Sequence, residues 1–186
     1  MVNVTVAAGG LPLEPGPRGF RDMCKRKIRL LLVDDNDELV LHLRKRLNAR
    51  GLAVVGAGNG DAAIAAAKGQ TFDVAVVDLK MPGPDGVETT EALKYLQPEL
   101  EVIILTGHGS VESAFACGQR HAYRFLHKPL DIDQLMEEIK LAYSAKRRTQ
   151  QRAYQEELDE VINANRTPRA ILEEARRLRA RYDLVG

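Results

Sequence analysis

Residues 30–38 read LLLVDDNDE. An apolar run ends abruptly in Asp34 and Asp35, and Asp37 and Glu38 follow. The run belongs to a short Leu- and Val-rich stretch, Ile28–Val33, that reads as a strand. A buried strand that delivers two adjacent carboxylates to one spot needs a reason, and the rest of the chain supplies it.

Downstream, short apolar runs alternate with helical patterns. Asp37–Arg50, with Asp37 serving as its cap, places Val40, Leu43 and Leu47 on one helical face and stops at Gly51. Leu52–Val55 is a second strand. Asp61–Lys68 is an Ala-rich helix with Asp61 as a candidate N-cap and Gly69 past its end. Asp73–Val77 is a third strand, followed by the loop LKMPGPDG; Val87–Leu96 is a helix ended before Pro98. Val102–Leu105 reads as strand, Ser110–Cys117 as a short helix, Ala122–Leu126 as strand, and a last helix starts near Asp131. Five strands alternating with five helices mean βαβ units and a parallel sheet. Strands this continuously apolar are covered on both faces, so right-handed crossovers predict a doubly wound three-layer α/β sandwich.

In a parallel sheet all strand C-termini reach one edge. Asp34 and Asp35 follow strand 1, Asp78 ends strand 3, Thr106 ends strand 4 and Lys128 follows strand 5. Open α/β sheets bind ligands at that edge. Three carboxylates there repel one another, and a hard divalent cation removes the repulsion. The donors are oxygens, with no Cys or His at ligand spacing, so Mg²⁺ or Mn²⁺ is favoured over zinc. A metal beside Asp78 with Lys128 opposite is an electrophilic clamp of the kind that stabilises a transferring phosphoryl group. A carboxylate can itself attack phosphorus and carry the group as an acyl phosphate.

The chain has 186 residues and a net charge of +1, 45% of them hydrophobic and 28% charged. That charge is unevenly spread: residues 1–29 are net +4, residues 144–186 net +3, and the stretch between is net −6. An acidic core suits a bound cation. The basic ends read as solvated helix faces rather than a nucleic-acid surface. Cys24 and Cys117 form neither a disulfide framework nor a metal spacing, and no apolar run approaches a membrane span. A cytoplasmic location is the expectation.

Residues 1–27, rich in Gly and Pro, read as a disordered segment, with Met23 as an alternative translation start. Residues 28–143 hold the sandwich. Residues 144–186 read as a helical extension outside the main core. SAKRRTQQR looks polar all round; Tyr154, Leu158, Val161 and Ile162 then resume an apolar stripe, and Thr167-Pro168 opens another helix.

LLLVDDND, VVDLKMPGPDG, ILTGHGS and YRFLHKPLD, in that order and spacing, closely resemble the receiver domains of two-component response regulators. The resemblance covers about residues 28–143. It implies a flavodoxin-like five-stranded sheet of order 2-1-3-4-5. Asp78 resembles the phospho-accepting aspartate. Asp35 and Asp78 resemble direct Mg²⁺ ligands, with Asp34 acting through water and the Lys80 backbone carbonyl as third protein ligand. Thr106 matches the hydroxyl that bonds a phosphoryl oxygen, and Lys128 the lysine that pairs with the phosphoryl group. The Lys128–Pro129 bond resembles the family's cis peptide. Phe125 matches the aromatic switch, which would turn inward with Thr106 and alter the surface of the 110–117 helix, the fifth strand and the last helix. The implied partners are a histidine kinase or a phosphotransfer protein. The implied activity is relay rather than turnover, beyond self-phosphorylation from a phosphodonor and auto-dephosphorylation.

Three positions depart from the pattern. His121 stands where many receivers have a turn glycine, Arg124 where they have an acidic residue on the signalling face, and Lys80 puts a cation beside the site. No DNA-binding, ATPase or cyclase output pattern is recognisable after residue 143. The competing readings are a phosphatase with an aspartyl nucleophile, a receiver-based scaffold that oligomerises through its helical tail, and a weak DNA-binding regulator. Lys80 occupies the position where the phosphatase would need a second acid. The C-terminal helices are a candidate homodimer interface.

Overall fold

The computed structural model describes residues 26–107, 122–129, 131–164 and 167–182. The helix expected over 110–117, His108, His121 and both cysteines lie outside them, as does nearly all of the segment expected to be disordered.

The elements run β1 (Arg29–Val33), α1 (Asp37–Ala49), β2 (Ala53–Ala57), α2 (Gly60–Gly69), β3 (Val74–Asp78), α3 (Gly86–Leu96), β4 (Glu101–Thr106), β5 (Arg124–His127), α4 (Ile132–Asn163) and α5 (Pro168–Arg181). The five strands form one parallel sheet of order β2-β1-β3-β4-β5. Side chains alternate across the pleat. Leu30, Leu32, Val74, Val76, Ile103 and Leu105 therefore face one layer, with Leu43 and Leu47 of α1 and Leu135 and Ile139 of α4. Leu31, Val33, Ala75, Val77, Val102 and Ile104 face the other, with Ala63 of α2 and Leu93 of α3. All of these side chains are buried, which is why the strand sequences are continuously apolar.

Caps set where the helices begin, and they correct two expectations. Asn36, not Asp37, caps α1; its side chain accepts from the Leu39 amide at 3.0 Å. Asn59, not Asp61, caps α2, accepting from the Ala62 amide at 2.8 Å. In both cases the acid falls in the first turn, where its charge suits the helix dipole without making the cap bond. Asp85 caps α3 in a capping box with Glu88. Gly51, at φ 92°, ends α1 in the left-handed region that favours glycine.

The last two helices leave the sandwich. α4 is one helix of 32 residues, about 48 Å long at 1.5 Å per residue. α5 is capped by Thr167 with Pro168 in its first turn, and packs back on α4. Leu178 and Tyr182 are buried in that contact, and the Tyr182 ring meets Tyr154 edge-on at 6.1 Å between centroids. The stretch that reads as polar all round is not solvated on every side: Lys146 and Gln150 are buried. Lys146 donates to the Phe72 carbonyl at 2.9 Å and pairs with Asp73 at 3.1 Å, covering the sheet's N-terminal edge. Among the described residues, no helix is long and apolar enough to cross a membrane.

Candidate functional site at the C-terminal edge of the sheet

β1 and β3 are neighbours, and their C-terminal ends deliver carboxylates to one place. Oxygens of Asp34, Asp35 and Asp78 all lie within 4.8 Å of one another. Asp34 is 1% exposed and Asp78 7%, whereas Asp35 is exposed. The Asp34 backbone amide donates to the Ala57 carbonyl at 3.2 Å, and its carboxylate accepts from the Asn36 amide at 3.0 Å. Beyond Asp78 the chain stays paired with β4: the Leu79 amide donates to the Leu105 carbonyl at 2.8 Å. The first residue of α3 is Gly86, and a Cβ there would come within 2.3 Å of the Asp78 carbonyl oxygen. Only glycine lets α3 start this close to the end of β3.

Lys128 arrives from the far side of the sheet. Its Nζ lies 2.6 Å from Asp34 Oδ2 and 3.0 Å from Asp78 Oδ2. Its backbone amide donates to the Thr106 carbonyl at 2.9 Å, and the Lys128–Pro129 peptide is cis. Burial works to lower the ammonium's pKa. Hydrogen bonds to Asp34 and Asp78, with their charges, outweigh it and hold the pKa above the ordinary lysine value. Thr106 is fully buried, and its hydroxyl donates to the Gly107 carbonyl at 3.1 Å. Phe125 is half-buried on β5 beside the α2/α3 layer. Lys80 lies in the loop two residues past Asp78 with its side chain exposed.

The structure thus gathers Asp34, Asp35, Asp78 and Lys128 at one edge, with Thr106 tied to the backbone of Lys128. Three carboxylates and one ammonium leave the cluster at −2. Its donors are oxygens, a set that fits a hard dication such as Mg²⁺. Carboxylate oxygens facing an ammonium across a small crevice can accept an electrophilic phosphorus and stabilise the charge that develops on it. Sequence reading missed Asn36, whose amide fixes Asp34 and whose side chain caps α1; N-cap preference for Asn is the signal that could have found it. It also missed the Arg124–Glu138 pair, 2.7 Å between β5 and α4, which settles Arg124 on the surface where an acid is usual.

Comparison with known proteins places this geometry. The chain is 37% identical over 117 residues to the transcriptional regulatory protein GlrR of Escherichia coli K12, a match covering 63% of this chain and 26% of that protein. It is 34% identical over 120 residues to the DNA-binding transcriptional regulator NtrC of Salmonella typhimurium, covering 64% and 26%. The chain therefore spans about a quarter of the length of these curated relatives. A response regulator receiver domain protein from Clostridium thermocellum superposes with a TM-score of 0.61 at 27% identity, covering 64% of this chain and 96% of that one. The family model for the response regulator receiver domain matches residues 30–140, from the first apolar run to the middle of the sheet-packing part of α4. With the sheet order also that of this fold, the chain belongs to the response regulator receiver family.

Proposed function

We propose that this chain is a phospho-accepting response regulator with Asp78 as acceptor. The observation that carries this reading is the Lys128 ammonium shared between Asp34 and Asp78 at 2.6 and 3.0 Å. An Asp78 carboxylate oxygen attacks the phosphorus of a histidine kinase's or phosphotransfer protein's phosphohistidine. The P–N bond breaks, the imidazole nitrogen leaves with the electron pair, and Asp78 carries an acyl phosphate until water hydrolyses it. Lys128 is the cation that follows the phosphoryl group, and Asp34 holds Lys128 in the crevice. Asp35, Asp78 and the Lys80 carbonyl would hold Mg²⁺ or Mn²⁺, with Asp34 bound through water. When bound, the ion offsets the charge of the acids and of the incoming phosphoryl oxygens.

After transfer, the Thr106 hydroxyl exchanges its Gly107 carbonyl for a phosphoryl oxygen. Phe125 turns inward in the same movement, and the surface around β5 and α4 changes. The reading is one of relay, not substrate turnover, and goes with a cytoplasmic location. Output passes through this surface and the α4–α5 hairpin, with a second copy as the candidate partner. DNA binding belongs by name to NtrC, which is about four times the length matched here.

The test is acetyl phosphate with Mg²⁺ on the wild type and on Asp78→Asn, read by intact mass. One phosphoryl group is expected on the wild type, and none on Asp78→Asn or with chelator present. Equal labelling of Asp78→Asn would move the acceptor elsewhere.

A further inference from the structure

The tail beyond Gln150 has almost no core of its own. Among the described residues from 151 to 182, only Leu178 and Tyr182 are buried. Short helices are marginal in water unless an amphipathic face is packed. Here Ile162 of α4 is 51% exposed and Leu172 of α5 is 61% exposed. Leu158 and Ala175 beside them are only half-buried.

The seam between α4 and α5 has two unlike sides. One side is charged and internally satisfied. Glu157 pairs there with Arg181 at 2.6 Å and accepts the Tyr182 hydroxyl, and Arg177 pairs with Glu174 at 3.3 Å. At 3.6 residues per turn, Leu158 and Ile162 leave α4 on the other side of the seam from Glu157. By the same count Leu172 and Ala175 leave α5 on the other side from Arg177 and Arg181. The second side of the hairpin is therefore apolar along both helices.

The charge pattern says what covers it. Residues 155–163 carry four acids and no base, whereas α5 carries five arginines and two glutamates. Asp159 and Arg176 flank the apolar side, and among the described residues neither forms an ion pair. A two-fold axis along the hairpin lays α4 of each copy on α5 of the other, acidic helix against arginine-rich helix. Every helix is then antiparallel to its neighbours, as in an up-and-down four-helix bundle. Tyr154 meets Tyr182 across the seam. Five residues on from Tyr154 and six back from Tyr182, Asp159 of one copy comes level with Arg176 of the other.

We propose that the apolar side of the α4–α5 hairpin docks a second copy of itself, closing a four-helix bundle around Leu158, Ile162, Leu172 and Ala175 with Asp159 and Arg176 paired between copies. The proposal rests on the output role given to the hairpin above and supplies the interface for it. Because the two α4 helices run in the same direction, both receivers sit at one end of the bundle.

The experiment is sedimentation equilibrium of the full chain without phosphodonor. Wild type and Asp78→Asn are expected to be dimers. Leu172→Glu should raise the dissociation constant about a hundredfold, since each copy loses a contact of about tenfold. Asp159→Arg should raise it about tenfold, and the double variant Asp159→Arg, Arg176→Asp should recover the wild-type value. Helical content checks folding, and Ile162→Glu reads the same surface if Leu172→Glu does not fold. Phosphoryl uptake from acetyl phosphate, measured on the same samples, keeps the two readings apart: it should persist in monomeric Leu172→Glu, and its loss in a dimeric wild type would sink the acceptor reading alone. A monomeric wild type overturns the proposal. So does a folded Leu172→Glu or Ile162→Glu that dimerises like wild type, or a double variant that stays as weak as Asp159→Arg.

Discussion

Lys128 and Asp34, 94 residues apart in the chain, meet in an ion pair of 2.6 Å. Asp34 is almost wholly enclosed, so the contact neutralises an acid largely withdrawn from bulk solvent. The same ammonium touches Asp78 at 3.0 Å. One side chain from the fifth strand's end therefore holds together acids from the first and third.

Removing that ammonium leaves the acids facing one another. In chelator, Lys128→Met should be destabilised by about 1–3 kcal/mol, less than for a fully buried pair because the lysine is part-exposed. Added Mg²⁺ should restore more stability to Lys128→Met than it adds to the wild type, since it then meets acids that no lysine screens. Urea unfolding with and without Mg²⁺ reads both effects. Equal midpoints for the two proteins in chelator would mean that the pair contributes nothing net.

At the other edge, Asp73→Asn should cost about 3–5 kcal/mol, because it leaves the Lys146 ammonium and Arg29 without their carboxylate. Lys146→Met in the Asp73→Asn background should recover part of that loss, since no buried ammonium remains. A double-mutant cycle in urea measures the coupling. Additive losses would argue that Arg29 alone sustains Asp73.

The pH dependence of the same acid follows from its shift. Burial tends to raise the Asp73 pKa, but hydrogen bonds from Arg29 and the charges of Lys146 and Arg29 outweigh it and bring the folded value below 3.8. A depressed carboxyl contributes stability in full above its unfolded pKa and loses it as pH falls through the folded one. The stability gap between wild type and Asp73→Asn should thus be level above about pH 4 and shrink below 3.8. Lys146 shifts downward too, against the sense expected of a lysine gaining a partner. Burial accounts for this: it outweighs the Asp73 charge and hydrogen bond, and the Arg29 charge adds to the depression. A gap that widens in acid would reverse the assignment.

Gly86→Ala sets two effects against each other. Alanine improves the first turn of α3 by up to about 1 kcal/mol. Its Cβ would also meet the Asp78 carbonyl at 2.3 Å and the Leu79 Cα at 2.7 Å, both backbone atoms that cannot swing aside. The clash should win, with a net loss of about 1–3 kcal/mol. Phosphoryl uptake should slow as well, because the displaced backbone carries Asp78. An alanine variant as stable and as fast as wild type would show that the loop yields freely.

Leu178→Ala tests whether the tail is a separate packing unit. Leu178 is 2% exposed in the contact between α5 and α4. Truncation should cost about 2–3 kcal/mol locally, toward the low end because a two-helix seam can close over the gap. Partial loss of helicity and faster proteolysis near residue 167 are expected, with phosphoryl uptake from acetyl phosphate unchanged. Loss of uptake would join the tail to the receiver in one cooperative unit.

The local code was legible wherever one physical cause dominates. Continuous apolar runs revealed parallel strands because both faces of the sheet are covered, and strand-end polarity revealed the edge where Asp34, Asp78, Thr106 and Lys128 emerge. Strand limits slipped by one or two residues at β2 and β5, where half-buried positions blur the ends. The caps Asn36 and Asn59 were passed over in favour of neighbouring acids because either residue type satisfies the same preference. Only backbone direction decides which side chain faces the free amides.

Alternation along the chain, the parallel sheet and the carboxylate edge were determined by the sequence alone, because each follows from period, run length and the common direction of strands. Tertiary structure alone decided that Lys128 bridges Asp34 and Asp78, and that Lys146, set in a stretch polar on every side, is buried against Asp73. Those contacts join residues 94 and 73 positions apart. A local pattern records how polar a side chain is. It cannot record which distant charge will meet it once the chain has closed.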